Sequence, residues 1–410
     1  MTVTERPAGA MQSLHGRLAA IYETDRSSRR VPAMEGLRGL AILLVFFCHY
    51  DLVVLNRLGP IFNDTFFHTV VQVGGTGVDL FFLLSGMLIY RAALRRDLHL
   101  GRFLTRRVQR IYPTFLVAFA IYFLVSVVLH QGEQRVPGNL SGALGYVAEN
   151  IFLLPGLADM KPLIPAAWSL SYEFFFYLAA PMLVWALRMA HWPRRRRCIF
   201  WIALLALHIS YVVALSNTLP VYHYQSNSFI RFGMFIAGIL VLEMLESARG
   251  AAWLTPARQR LLAGAGALCA AVYLRFLYLN VDNMHPPVSH EAIGQLAVFW
   301  IYACLALATL GERGVLQRLF SVAWLRWTGN ISYSLYLIHG IVLNALIAAC
   351  LHVPGVVTHP AVAAAICLPL FFAVVYAVAT MLFLLVEKPF SLQPPARRKT
   401  VDMEQVSSTA

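Results

Sequence analysis

Residues 34–53 read MEGLRGLAILLVFFCHYDLV. At 1.5 Å per residue such a run crosses a hydrocarbon core of about 30 Å. It follows a polar, arginine-containing stretch and no small-residue cleavage site comes after it, so it reads as a retained first span and not as a signal peptide. Working outward from this span, taken as 36–55, nine more apolar runs follow, at 67–90, 109–130, 167–187, 198–216, 229–246, 261–280, 292–310, 331–351 and 361–386. The chain has 410 residues, 59% hydrophobic and 13% charged, with a mean hydropathy of +0.64; a soluble chain carries about 25% charged residues. The expectation is an all-α, polytopic integral membrane protein with about ten transmembrane helices.

The basic residues set the orientation. Of 33 Lys and Arg, 28 fall in the segments on the N-terminal side of the bilayer, while the opposite loops hold Arg57, Arg135 and Lys161 and the spans themselves hold Arg231 and Arg275. Basic residues crowd cytoplasmic loops, so both termini are expected in the cytoplasm. The net charge of +13 is then a topology signal, the run Arg194–Arg197 included, and no nucleic-acid partner is expected. Residues 1–33 read as a mobile cytoplasmic arm, 34–390 as the membrane domain and 391–410 as a cytoplasmic tail. Cys48, Cys198, Cys269, Cys304, Cys350 and Cys367 show no paired spacing, which argues against a disulfide or zinc framework.

Ionisable groups inside spans are costly and mark function by default, although those near helix ends can snorkel to water. Arg38 and His49 are eleven residues apart, which returns them to within about 20° of one helix face with a rise of about 16 Å. Arg38 lies at the cytoplasmic mouth and His49 deep in the span. A long substrate with an anionic head and a reactive far end suits that face, and coenzyme A thioesters have this shape; a snorkelling Arg and a packing His is the alternative. Glu173 in the fourth span falls about 9 Å below the outer face and His49 about 10 Å below it, a base and its candidate orienting partner. Asp79 follows Gly74, Gly75 and Gly77, which suggests a broken helix lining a cavity. Asp51 points to another face. Arg107 and Arg110 share a helix face at the start of the third span and can clamp a phosphate, as positive-inside clustering also explains. Ser85, Ser169 and Ser171 read mainly as helix-packing groups and secondarily as nucleophiles. His208 and His339 read as packing histidines, His339 less safely. Arg231 and Arg275 read as snorkelling groups, with an anionic acceptor as the alternative. The outer loops 221–228 and 283–291 offer polar and aromatic groups suited to sugars.

Six motifs in order, EGLRGLAILLVFFCH (35–49), GVDLFFLLSGMLI (77–89), RRVQRIYP (106–113), WSLSYEFFFY (168–177), ISYSLYLIH (331–339) and VEKPF (386–390), resemble the acyltransferase 3 family of integral membrane O-acyltransferases. Glu35 stands where the family more often has Asp. The resemblance implies transfer of an acyl group, most often acetyl from acetyl-CoA, to a sugar hydroxyl of an envelope glycan at the bacterial inner membrane, with no metal. A smaller branch acylates small glycosides such as macrolides. The family's essential histidine and arginine carry over to His49 and Arg38, its arginine pair to Arg107 and Arg110, and its fourth-span acid to Glu173. Many members bear an additional extracytoplasmic esterase-like domain, and a form without it is expected here. His49 is expected as general base for direct transfer, with an acyl-His intermediate as the alternative. Two other classes compete. A proton-coupled transporter or flippase would use Arg38, His49, Asp79 and Glu173 as a relay and often shows an internal repeat, which is not visible here. A haem protein would need two facing histidines, and His208 with His339 is the candidate pair.

Overall fold

The computed structural model describes residues 14–23, 31–59, 64–95, 98–129, 136–137, 139–157, 160–218, 230–247, 253–280, 288–311, 314–356 and 358–392. Their regular structure is helical throughout. In chain order the α-helices of six residues or more are α1 (Leu14–Tyr22), α2 (Pro32–Tyr50), α3 (Asp64–Ala93), α4 (Leu100–Leu129), α5 (Leu140–Ile151), α6 (Trp168–Ala186) and α7 (Arg194–Thr218). Then come α8 (Gly233–Leu245), α9 (Pro256–Leu279), α10 (Val288–Leu310), α11 (Val315–Phe320), α12 (Ala323–Asn330), α13 (Ser332–Cys350) and α14 (Pro360–Leu382). Two π-helical stretches extend this set, Asp51–Leu55 after α2 and Phe383–Ser391 after α14.

Eight helices among the described residues are long and apolar enough to cross a membrane, against about ten expected. The other two expected spans are α6, which carries Glu173 among its aromatic residues, and the short α8. Large apolar side chains stand exposed around the outside, among them Leu207, Leu268 and Ile366. Such a surface suits lipid contact, since a soluble monomer rarely shows contiguous apolar patches of this kind.

Helix α2 is the hub. Val31 is extended before it, Pro32 takes the first helical position, where no amide donor is needed, and Glu35 lies in the first turn. The α2 backbone runs against α12 because both present glycine: a Cβ on Gly39 would strike the Leu325 carbonyl, and one on Gly329 the Glu35 carbonyl. Arg326 of α12 then donates to Glu35 at 3.0 Å. Helix α3 packs on the opposite side. It is continuous, so the expected break at Gly74–Gly77 does not occur; Gly74 and Gly77 instead lie against the Cys48 and Ala41 turns of α2.

The segment between α5 and α6 is irregular yet deep in the bundle. Leu153, Leu163, Ile164, Ala166 and Ala167 are buried in it. Irregular backbone survives at such depth only where protein groups satisfy it, and they do so here. Tyr112 OH donates to Ile151 O at 3.0 Å, Leu163 N to Asn150 Oδ1 at 2.8 Å, Tyr336 OH to Ala166 O at 2.8 Å, and Ser171 Oγ to Pro155 O. Gly156 has φ +96°, and a Cβ there would meet Trp168. Helix α6 therefore starts well inside the bundle.

Within the expected N-terminal arm, α1 docks on the end of the bundle at which α2 begins. Tyr22 stacks on Trp327 with ring centroids 5.7 Å apart, and Lys388 Nζ donates to Ala20 O and Ile21 O at 2.9 and 2.8 Å. The loop 221–228, most of the loop 283–291 and all but the first two residues of the tail lie outside the described residues.

Candidate active site

A cavity of about 130 Å³ opens between α2, α3, α4, α6 and α13. Arg38, Arg107 and Arg110 line it, with Ser85, Glu173, Tyr177, Tyr333 and Tyr336. The helical period explains the convergence. Arg107 and Arg110 are three residues apart on α4, and Glu173 and Tyr177 four apart on α6, so each pair lies on one face. Arg38 Nη2 donates to Ser332 Oγ at 3.1 Å. Arg107 lies over the Phe103 and Tyr177 rings, 5.0 and 5.5 Å from their centroids. Arg110 Nη1 donates to Glu387 Oε1 at 2.7 Å and its guanidinium lies 5.7 Å from the Tyr333 centroid. Three guanidiniums against Glu173 and Glu387 leave a positive balance, which favours an anionic ligand.

Glu173 belongs to this cavity. Its Oε1 accepts from Ser85 Oγ at 2.7 Å and from Tyr177 OH. The matched depth with His49 assumed that α6 starts at the outer face; because it starts inside the bundle, Glu173 arrives at Arg38's end of α2. His49 is half-buried further along α2 and is not among the lining residues. Its Nδ1 lies 2.9 Å from Val45 O, and its ring meets that of His339 at 4.6 Å between centroids and 80° between planes. Tyr336 links the two places: it lines the cavity, and its ring centroid stands 6.0 Å from that of His339.

Other expected residues fall elsewhere. Asp79, fully buried, accepts from Arg231 Nη1 at 2.6 Å and from Gln295 Nε2 at 3.0 Å. Arg231 also donates to Gly75 O at 3.1 Å, so it bridges helices where snorkelling was the favoured reading. Arg275 lies against the ring of Tyr278, 5.6 Å from its centroid. Asp51 is buried at the start of the π-helical stretch. Ser169 Oγ lies 2.7 Å from Tyr336 OH, and Ser171 is held by the Pro155 carbonyl. His208 packs on Phe232 and His339 on His49, so the two are not a facing pair. The run from Arg194 opens α7, where Arg197 grips Glu243 through Nε at 2.6 Å and Nη2 at 3.1 Å.

Sequence reasoning passed over Tyr177, Ser332, Tyr333, Tyr336, Glu243 and Glu387. Part of the signal was present. Ser332, Tyr336 and His339 recur at i, i+4 and i+7, one face of a helix, and that face runs from Arg38 to His49. Glu387 stood within the VEKPF motif, which carries no helical period that would place it against Arg110.

A family model described as an acyltransferase domain matches residues 31–381. The acyltransferase MdmB of Streptomyces mycarofaciens is 28% identical over 338 residues, 77% of this chain and 79% of that protein. The peptidoglycan O-acetyltransferase OatA of Listeria monocytogenes is 24% identical over 338 residues, and this chain spans only about half, 50%, of its length. The exopolysaccharide production protein ExoZ of Rhizobium meliloti is 26% identical over 284 residues, 68% of this chain and 79% of that protein. No solved structure matches significantly.

Proposed function

Since the chain belongs to the acyltransferase 3 family and is an acyltransferase, we propose that it moves an acyl group, acetyl first among them, from cytoplasmic acyl-CoA to a hydroxyl of an envelope or exported glycan. The observation that carries this reading is the cavity ringed by Arg38, Arg107 and Arg110, with His49 eleven residues beyond Arg38 on the same face of α2. In this reading ten spans cross the bacterial inner membrane with both termini in the cytoplasm. The guanidiniums hold the donor's phosphates, which Arg matches in a fork. The pantetheine arm runs along α2 and α13, and the thioester lies at His49.

A sugar hydroxyl is a poor nucleophile at neutral pH, and a positioned imidazole is suited to take its proton. The hydroxyl proton passes to His49 Nε2 as the oxygen bonds to the acyl carbon; the C–S bond breaks, and the thiolate takes the proton back from the imidazolium. No serine or cysteine sits in a recognisable nucleophile motif of the sequence, which supports direct transfer over an acyl-enzyme step. Glu173, held by Ser85 and Tyr177, contributes at the donor end in this reading. The test is mass spectrometry of envelope glycans from cells with and without the protein, and with His49→Ala. An added acyl mass only with the wild type supports the reading; identical glycans in all three strains overturn it for glycans. The same mass on a small glycoside would redirect the acceptor alone. Acyl label trapped on His49 by donor alone would replace direct transfer with an acyl-His step.

A further inference from the structure

The fold sets a second histidine against the expected base. His339 is 1% exposed, and its Nδ1 lies 3.1 Å from Leu335 O, four residues back on α13. His49 makes the same i−4 contact with Val45 O at 2.9 Å on α2. A carbonyl oxygen only accepts, so in both rings Nδ1 carries the proton and Nε2 keeps its lone pair. Two helices thus present two imidazoles in the same tautomer, edge to face at 4.6 Å. His339 Nε2 is buried and has no hydrogen-bond partner among the described residues. A buried acceptor left without a partner is costly, and an apolar residue of similar size would avoid that cost.

We propose that His339 is the positioning residue of the reacting centre: its neutral ring holds His49 in place by edge-to-face contact, and its Nε2 lone pair stabilises the imidazolium formed when His49 takes the acceptor's proton. A half-buried imidazolium needs a polar partner, because water is only partly available to solvate it. Glu173 is engaged by Ser85 and Tyr177 at the donor cavity, whereas His339 is in ring contact with His49. No proton is exchanged with His339. This inference rests on the reading of His49 as the base.

The test compares three substitutions in the full-length protein purified in detergent. Gln places an acceptor where Nε2 was, whereas Asn reproduces only Nδ1 and its bond to Leu335. His339→Ala and His339→Asn are expected to lower kcat by about tenfold or more with the KM for acyl-CoA unchanged, and His339→Gln to stay within about threefold of wild type. A packing role predicts the reverse, Asn tolerated at least as well as Gln. Equal rates for Asn and Gln, a near-normal His339→Ala enzyme, or a loss confined to KM overturns the proposal. So does failure of all three variants to fold, which would make His339 a packing residue. If the wild type transfers no acyl group, the functional reading itself falls; if it transfers, His49→Ala is inactive and the three His339 variants are normal, only this inference falls.

Discussion

Arg107 and Arg110 differ in how they are held. Arg110 is tied to Glu387 at 2.7 Å, whereas Arg107 is braced only by the rings of Phe103 and Tyr177 among its described contacts. Arg107→Ala is therefore expected to weaken coenzyme A binding by about tenfold or more, one charge-assisted contact, with the protein still folded; titration calorimetry measures it, and unchanged affinity would return Arg107 to a topology signal. Arg110→Ala should cost binding and also stability, since it strands a carboxylate that is 0% exposed. Removing one partner of a buried pair costs about 3–5 kcal/mol, so the thermal midpoint of Arg110→Ala should fall clearly below that of Arg107→Ala. Equal midpoints would show that Glu387 does not depend on Arg110. Lys at either position keeps the charge and loses the fork, so affinity should lie between wild type and Ala.

At the scale of elements, the α2–α12 contact and the π-helical stretch Phe383–Ser391 decide where the guanidiniums lie. In the first, glycine lets two backbones meet. Gly39→Ala or Gly329→Ala puts a methyl against a carbonyl that cannot move without its helix, and overpacking of this kind costs about 1–3 kcal/mol. Both should lower the thermal midpoint in detergent, whereas Gly101→Ala, where a Cβ meets nothing within 4 Å, should not; equal midpoints for all three would refute close packing at this contact. In the second, the wider π turn lets neighbouring residues serve different helices. Glu387 reaches Arg110 on α4 and Ser334 on α13, its Oε2 accepting from Ser334 N at 3.1 Å and Ser334 Oγ at 2.6 Å, while Lys388 reaches the end of α1. Lys388→Met is expected to expose the segment around α1 to limited proteolysis with coenzyme A affinity unchanged, because Arg110 keeps its carboxylate. Unaltered cleavage would show that α1 is held by its other contacts, those of Tyr22 with Trp327, Tyr376 and Asn330 among them.

At the scale of the whole molecule, the charge asymmetry yields a prediction of its own. Alkaline phosphatase fused at residue 410 or 95 should be inactive and a fluorescent protein there bright, with the opposite result at residue 60; active phosphatase at 410 would overturn the ten-span arrangement. The all-helical, apolar character of the chain was legible because hydropathy and helical period are local properties. The apolar run at 34–53 was enough to identify a span, and eleven steps of about 100° were enough to place Arg38 and His49 on one face. The six motifs likewise pointed to the family that residues 31–381 match. Partnership was not legible. Whether His49 meets Glu173 or His339 depends on the depth at which α6 begins, and that depth is set by the buried segment after α5, whose anchors Tyr112 and Tyr336 lie on other helices. Asp79 and Arg231 are 152 residues apart, Arg110 and Glu387 277 apart, and no period links such positions. The amino-acid sequence by itself determined the apolar helical character, the charge distribution along the chain and which residues share a helix face, because each is read from a short stretch of residues. Only the tertiary structure decided which face meets which and at what depth, because those distances arise from packing between helices far apart in the chain.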